Sequence, residues 1–312
     1  MVMEQRSLME YFEQARAAQR EAAPHKLAPD RHPNRDFFVA DILDWALKGD
    51  HASMEHPFFS LSKTPDRAER RYERNGNTII IKPGSDGRAT IWDKDILIFC
   101  VSQLVEAINQ GRPVSRNVRL RAYDILVTTN RHTGGDHYKR LRQALSRLAG
   151  TRIETNIATN GQRIRKGFGL IDNWEIVERT PDGGEMVAVD ITLNQWLFNA
   201  VLGREVLTLS RDYFRLDGGL ERRLYELARK HCGNQSQWTI SLSLLHLKSG
   251  STASLKKFRQ LVKIATASNQ LPDYGAFYDA ENDRVMFEHP KTMGLSSTGK
   301  GLSGTVLTGS SA

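Results

Sequence analysis

The sequence predicts an α+β chain in which one unit is built twice, and three observations carry that expectation. Val118 to Leu148 and Leu242 to Ala267 each show a short amphipathic helix, a polar turn and a second helix rich in Lys and Arg. Each stretch is followed by two β-prone runs around a turn, and positive charge is concentrated on the first copy. A helix-turn-helix followed by a two-stranded hairpin is the order of a winged helix. The fold expected is therefore two tandem winged-helix domains of pseudo-repeated architecture, with little sequence identity between the halves.

Along the chain, residues 1–34 read as an accessory arm. Ser7 is placed to cap a short helix bearing Leu8, Tyr11, Phe12 and Ala15, and Pro24, Pro29 and Pro33 then impose an extended linker. Asp36 to Lys48 has the pattern of an amphipathic helix ending before Gly49. Asp66 to Asn75 is a charge run expected to be solvated, followed by strands at Thr78 to Lys82 and Ala89 to Trp92. Asp93 is the expected N-cap of a helix carrying Leu97, Val101, Leu104, Val105 and Ile108.

The first helix-turn-helix places Val118, Ala122, Ile125, Leu126 and Thr129 on one helical face, breaks at Gly134-Gly135, and resumes with the stripe Tyr138, Leu141, Leu145 and Leu148. After Gly150, Thr151 to Thr159 turns at Asn160-Gly161 into Phe168 to Val177, a basic hairpin read as the first wing. A strand at Met186 to Leu193, a short helix at Asn194 to Leu202 and a strand at Val206 to Leu209 lead to a long helix capped by Ser210 or Asp212. The second copy has Leu242, Leu245 and His246 before Ser249-Gly250-Ser251, then Leu255, Phe258, Leu261, Val262 and Ala265 as a buried stripe. Ala276 to Tyr278 and Val285 to Phe287 form its hairpin. The expected divisions are an arm at 1–34, a first domain at 35–185, a second at 186–290, and a Gly/Ser/Thr-rich disordered tail at 291–312.

The formal charge is +8, yet Gly111 to Leu170 alone holds thirteen Lys or Arg against three acidic residues, so the rest of the chain is slightly acidic. That distribution favours a polyanion at the first helix-turn-helix. The only cysteines, Cys100 and Cys232, exclude a disulfide framework or a cysteine zinc site and read as buried thiols of a reducing compartment. No apolar run approaches the roughly 18 residues of a membrane span, so no membrane partner and a cytoplasmic location are expected.

A DNA-nicking enzyme of the common kind needs a His-x-His metal pair near a nucleophilic tyrosine. The histidines never fall at that spacing; His51 and His56 are five apart, as are His132 and His137. Gly294 to Lys300 imitates a phosphate loop, but Gly301 stands where Ser or Thr would hold magnesium. No catalytic residue, metal or cofactor is assigned.

The residues expected to contact DNA lie on the exposed sides of the two basic helices and the hairpin tip. They are Arg131, Lys139, Arg140, Arg142, Gln143, Ser146 and Arg147, then Arg163, Arg165 and Lys166, then Ser251, Ser254, Lys256, Lys257, Arg259, Gln260 and Lys263. Arg140 and Gln143 are the expected base readers, since Arg pairs with guanine O6/N7 and Gln with adenine N6/N7. Lys139 and Arg147 are expected on phosphates. Each helix alone also fits an ordinary solvated surface.

A resemblance adds to this reading. Gly167-Phe168-Gly169-Leu170-Ile171 with Trp174, Leu193-Asn194-Gln195-Trp196-Leu197-Phe198, Leu207 to Phe214, Glu221 to Gly233 and Leu271-Pro272-Asp273-Tyr274 resemble the plasmid replication initiator protein A group, over about residues 35–290. The resemblance implies a protein that binds direct repeats in double-stranded origin DNA, promotes local opening and recruits a host helicase or initiator, and with no catalytic residue assigned the protein is expected to be non-enzymatic. The resemblance also implies autorepression as a homodimer. A transcriptional repressor built from the same parts, or a winged-helix protein-assembly module, are the alternatives the sequence leaves open.

Overall fold

In the computed structural model, residues 27–33, 40–41, 57–74, 77–156, 158–159, 162–163, 166–179, 186–204, 206–232 and 235–289 are described. The expected N-terminal helix and the Gly/Ser/Thr tail lie outside them. The chain is a mixed α/β protein with two hydrophobic cores, one gathered from Phe59 to Val201 and the other from Leu209 to Phe287.

The first unit opens its repeat with helix α1 (Lys94–Asn109), whose Leu97, Val101, Leu104 and Val105 are buried as their spacing requires. Strand β4 (Asn117–Arg121) follows, then α2 (Ala122–Thr128), α3 (Gly135–Gly150), β9 (Ile171–Glu178) and β10 (Met186–Leu193). The three strands form an antiparallel sheet in the order β4-β10-β9, with Val189 opposite Leu120 on one side and Ile176 on the other.

The second unit repeats that order. Helix α5 (Gly219–His231), β12 (Gln237–Ser241), α6 (Leu242–Ser249), α7 (Leu255–Ser268), β13 (Gly275–Asp279) and β14 (Arg284–Glu288) follow one another, and the sheet order is β12-β14-β13. In both units the first strand pairs with the last, and the last is central.

Between α3 and β9 the first unit carries an insertion, residues 151–169, which pairs with two strands from ahead of α1. Strands β2 (Arg70–Arg74), β3 (Asn77–Lys82), β5 (Arg152–Thr155) and β8 (Lys166–Gly169) make a four-stranded antiparallel sheet, and β6 (Ala158–Thr159) pairs with β7 (Gln162–Arg163) beyond it. The hairpin expected around Asn160-Gly161 is therefore present, but its partner across β5 is β3, not the sheet of β4 and β10. The chain bends at Leu170, so the run expected to be one strand at 168–177 serves two sheets. By position in the repeated order, the hairpin of the first unit is β9 and β10 with residues 179–185 between them.

Several expectations change for identifiable reasons. The boundary at 185/186 falls inside this hairpin, and β10 is the middle strand of the first sheet, so the second unit begins after helix α4 (Gln195–Leu202), which packs in the first core. Val118 lies in β4, not on a helix, because Asn117–Arg121 pairs with β10. Ala40–Asp41, expected to be helical, forms β1 and pairs with β11 (Leu207–Thr208). The charge run is not wholly solvated, since Asp66 accepts an ion pair from the buried Arg88. Ala89 to Trp92 makes only an isolated bridge between Thr90 and Ser60. Ser210 caps a 3₁₀ turn at Arg211–Arg215 through Asp212 N, and the helix proper restarts after Gly218.

The units are joined by buried charges. Lys94 Nζ donates to Glu226 Oε1 at 2.8 Å and Arg222 Nη1 donates to Asp95 Oδ1 at 2.6 Å. Glu226 also accepts from Tyr213 Oη at 2.8 Å and from Arg223 Nη1 at 3.1 Å. All four principal side chains are at most 4 % exposed, so each depends on its partners for solvation. The two lysine and arginine neighbours and the tyrosine hydroxyl hold the Glu226 carboxyl below its ordinary range despite full burial. Ile98 of α1 adds an apolar contact to the second core.

Residues 27–33 strap this junction. Arg215 Nε donates to Ala28 O at 2.7 Å and Arg211 Nη2 to His32 O at 2.6 Å from the second unit. On the first unit, Asn130 Oδ1 accepts from Arg31 N at 2.8 Å and Asn130 Nδ2 donates to Pro29 O at 3.0 Å. This part of the arm is docked to both units through its backbone, which no apolar pattern in its sequence announces.

Candidate nucleic-acid interface

Helix α3 buries Leu141, Ala144, Leu145 and Leu148, the i, i+3, i+4, i+7 set that turns one stripe toward the core. The opposite side exposes Lys139, Arg140, Arg142 and Gln143. Helix α7 buries Phe258, Val262, Ala265 and Thr266 and exposes Lys256, Lys257, Gln260 and Lys263. Leu255, expected in the buried stripe, is 38 % exposed because it sits at the first helical position, ahead of the turn that meets the core.

Each basic helix is preceded by a left-handed residue that reverses the chain. After α2 it is Asn130, φ 56°, and after α6 it is Gly250, φ 70°. A Cβ on Gly250 would also press on the Pro57 ring at 1.9 Å, so glycine is required there twice over. Gly134 and Gly135 have open space around them and ordinary φ at Gly134, so the break attributed to them is made by Asn130.

The expected contact residues divide by what already holds them. Arg147 donates through Nε and Nη2 to both Asp93 oxygens at 2.7 Å, which raises the guanidinium's affinity for its proton and takes it away from a phosphate. Asp93 is thereby not a side-chain N-cap; its Oδ2 accepts from Arg147 and from Thr90 N instead. Ser146 Oγ donates to Asp86 Oδ2 at 2.6 Å, and Arg142 pairs with Glu178. Arg131 reaches Trp92 O and Asp95 Oδ2, so it belongs to the junction.

In the second unit, Arg259 makes a two-pronged pair with Asp283, Nε to Oδ1 at 2.9 Å and Nη2 to Oδ2 at 2.8 Å, while Tyr278 Oη donates to Oδ1 at 2.6 Å. These donors bring the Asp283 carboxyl down to about 2. Lys263 Nζ lies 5.1 Å from the Tyr278 ring centroid. Ser254 is the N-cap of α7, accepting from Lys257 N at 3.3 Å, and Ser251 Oγ accepts from Ala253 N. Their hydroxyl hydrogens are left for another acceptor.

The side chains of Lys139, Arg140 and Gln143 of α3, and of Lys256, Lys257 and Gln260 of α7, make no hydrogen bond or ion pair with other described residues and are exposed. Arg163 sits in β7 and Lys166 in β8 of the insertion, and Arg165 lies outside the described residues.

The loop between β3 and α1 also limits how much of α3 is open. The loop at Gly84 approaches the helix end so closely that a Cβ on Gly84 would stand 3.0 Å from Gly150 Cα. Asp86 from the same loop holds Ser146, so the accessible part of the helix is its first two turns or so. Beside those turns a cleft of about 630 Å³ opens between the units, lined by Arg31, Lys63, Trp92, Arg140, Gln143 and Arg222.

No group of three or more His, Cys, Asp or Glu suited to a metal occurs among the described residues, and no helix among them is long and apolar enough to cross a membrane. Burial pushes the Cys100 thiol up to about 12.

The model of the Replication initiator protein A family matches residues 48–276. The chain belongs to the replication initiator protein A family. It is also 41 % identical over 256 residues to the "Putative replication protein" of Wigglesworthia glossinidia brevipalpis, an alignment that covers 81 % of this chain and 93 % of that protein. Two solved structures of RctB domains 2 and 3 are similar in fold at 13 % identity. One covers 75 % of this chain and 95 % of its own with a TM-score of 0.53. The other, a selenomethionine derivative, covers 80 % and 98 % with a TM-score of 0.58. A replication initiator role is thus the family setting in which the two basic helices stand.

The sequence missed the junction of Asp95, Lys94, Arg222 and Glu226. Its one visible signal is Arg222-Arg223 with Glu226 inside the apolar periodicity of Leu220, Leu224 and Leu227, where solvated charges would break the buried face.

Proposed function

We propose that each repeated unit is a winged helix and that the two together bind direct repeats in the double-stranded DNA of a plasmid origin. The observation that carries this is the recurrence of one strand order, each time presenting a basic helix whose leading polar side chains are exposed and unengaged by the described residues. An exposed helix bearing Arg, Lys and Gln fits the major groove, where those side chains read base edges and phosphates. Two different helices fixed on one chain call for an asymmetric target of roughly 20 base pairs, contacted in successive major grooves. Tandem copies of such a target are direct repeats.

Occupied repeats would strain the adjacent duplex, and A·T-rich steps there would open first. In this reading the protein performs no covalent chemistry. It acts by binding, opening DNA and recruiting a host helicase or initiator, and a homodimer represses its own gene.

The test is selection of duplexes from a random pool by the full chain, followed by permanganate probing of a supercoiled plasmid carrying the selected repeats. A direct repeat with unpaired thymines beside it supports the reading. Sequence-selective binding without opening assigns the chain to repression, and the absence of salt-sensitive, sequence-selective duplex binding assigns it to protein assembly.

A further inference from the structure

Beyond Leu255 at its first position, the exposed side of α7 carries a second large apolar residue, well inside the helix, that a purely phosphate-binding face has no use for. Ile264 is 65 % exposed, the most exposed large aliphatic side chain among the described residues. It stands four residues after Gln260 and eight after Lys256, on the same helical stripe, with Lys263 beside it. The buried stripe of Phe258, Val262 and Ala265 lies on the other side of the helix, so no rotation of α7 would cover Ile264 without uncovering the core.

We propose that Ile264 reads the C5-methyl group of a thymine in the major groove. This rests on the proposed DNA-binding reading and deepens it by assigning base specificity to the second unit. Thymine is the one base that presents a methyl group there, and apolar side chains recognise it by contact. At about 1.5 Å rise per residue, Lys256 to Ile264 spans about 12 Å, or between three and four base-pair steps of about 3.4 Å. Gln260 and Ile264 are then about 6 Å apart, close to two base-pair steps, so the thymine belongs within about two pairs of the base that Gln260 meets. A lysine-rich helix would otherwise hold phosphates without regard to sequence.

The probe is the duplex selected by the full chain, with each thymine of the second unit's half replaced in turn by deoxyuridine, which lacks only the methyl group. At one position the replacement weakens binding of the native chain about three- to tenfold, the effect of exposing one or two methyl-sized groups. Ile264→Ala weakens binding to the thymine duplex by a similar factor and abolishes the difference between thymine and deoxyuridine at that position. Ile264→Val retains most of it. The proposal is overturned if native protein binds every deoxyuridine duplex as well as the parent. It is overturned equally if Ile264→Ala keeps the full thymine preference, or if Ile264→Ala changes only self-association in sedimentation velocity. Failure of the native chain to bind any selected duplex would sink the broader reading instead.

Discussion

Arg222 Nη1 donates to Asp95 Oδ1 at 2.6 Å across the boundary between the two units, with both side chains buried. From Asp95 the path continues to Arg131, just past the turn that precedes α3. From the neighbouring Lys94 and Glu226 it continues through Arg223 to Lys248 O, at the end of α6. The two turns that aim the basic helices are thus tied to one network of buried charges. Such a network resists rotation of one unit against the other, because any displacement leaves a charge without its partner.

Breaking one member should therefore be costly. Asp95→Asn keeps the volume but leaves Arg222 and Arg131 without a carboxylate, and is expected to lower stability by about 3–5 kcal/mol in urea titration. Lys63→Ala, which removes a 3.9 Å pair with the exposed Asp217, is expected to cost under about 1 kcal/mol. Equal losses for the two variants would remove the junction's structural role.

Arg140 and Lys139 are neighbours on the accessible part of α3 and should fail differently. Arg140→Ala is expected to relax preference at one base pair at a cost of about 1–3 kcal/mol, whereas Lys139→Ala weakens all duplexes alike and lowers the salt slope by about one. Titration against single-base variants of the selected duplex at several salt concentrations separates these outcomes.

Arg147 was expected on a phosphate, and its pair with Asp93 changes the prediction. Arg147→Ala should lower thermal stability, by about 1.5–3 kcal/mol for the lost charged hydrogen bonds, and leave the salt slope of DNA binding unchanged. A slope reduced by one with stability intact would return Arg147 to the interface.

Asp283 ties α7 to the hairpin through Arg259 and Tyr278, and its carboxyl is lowered to about 2. A lowered native value means that this contribution is fully present above the ordinary carboxylate range and is lost progressively as pH falls from there through the native value. Carboxyl resonances followed by NMR in native protein should show Asp283 titrating near that value. In Arg259→Ala it should move up toward the ordinary range for aspartate.

What could be read from the sequence was whatever repeats locally. The stripes Leu141, Leu145, Leu148 and Phe258, Val262, Ala265 follow helical spacing, and Ser241 and Ser254 accept from backbone amides at the starts of α6 and α7, as cap residues do. The pairing of β10 between β4 and β9 was not legible, since alternation marks a strand without naming its neighbours. Nor was the pair of Asp93 with Arg147, 54 residues apart, which converts an apparent cap and an apparent phosphate contact into one structural tie. Gly134-Gly135 drew attention to the turn, whereas Asn130 makes it through a left-handed backbone that asparagine tolerates.

The fixed phase of the two basic helices is tested most directly by the spacing of their contacts on a selected duplex. Hydroxyl-radical footprinting and affinity measurements would use the parent site and a site with five base pairs inserted between the protected halves. Protections about one helical turn apart on one side of the parent are expected. The half-turn insertion should reduce affinity to that of a single half-site, because it rotates one half to the far side while the Asp95 and Arg222 junction holds both helices in place. Undiminished affinity for the inserted site would show that the units turn independently and would contradict a rigidly phased pair.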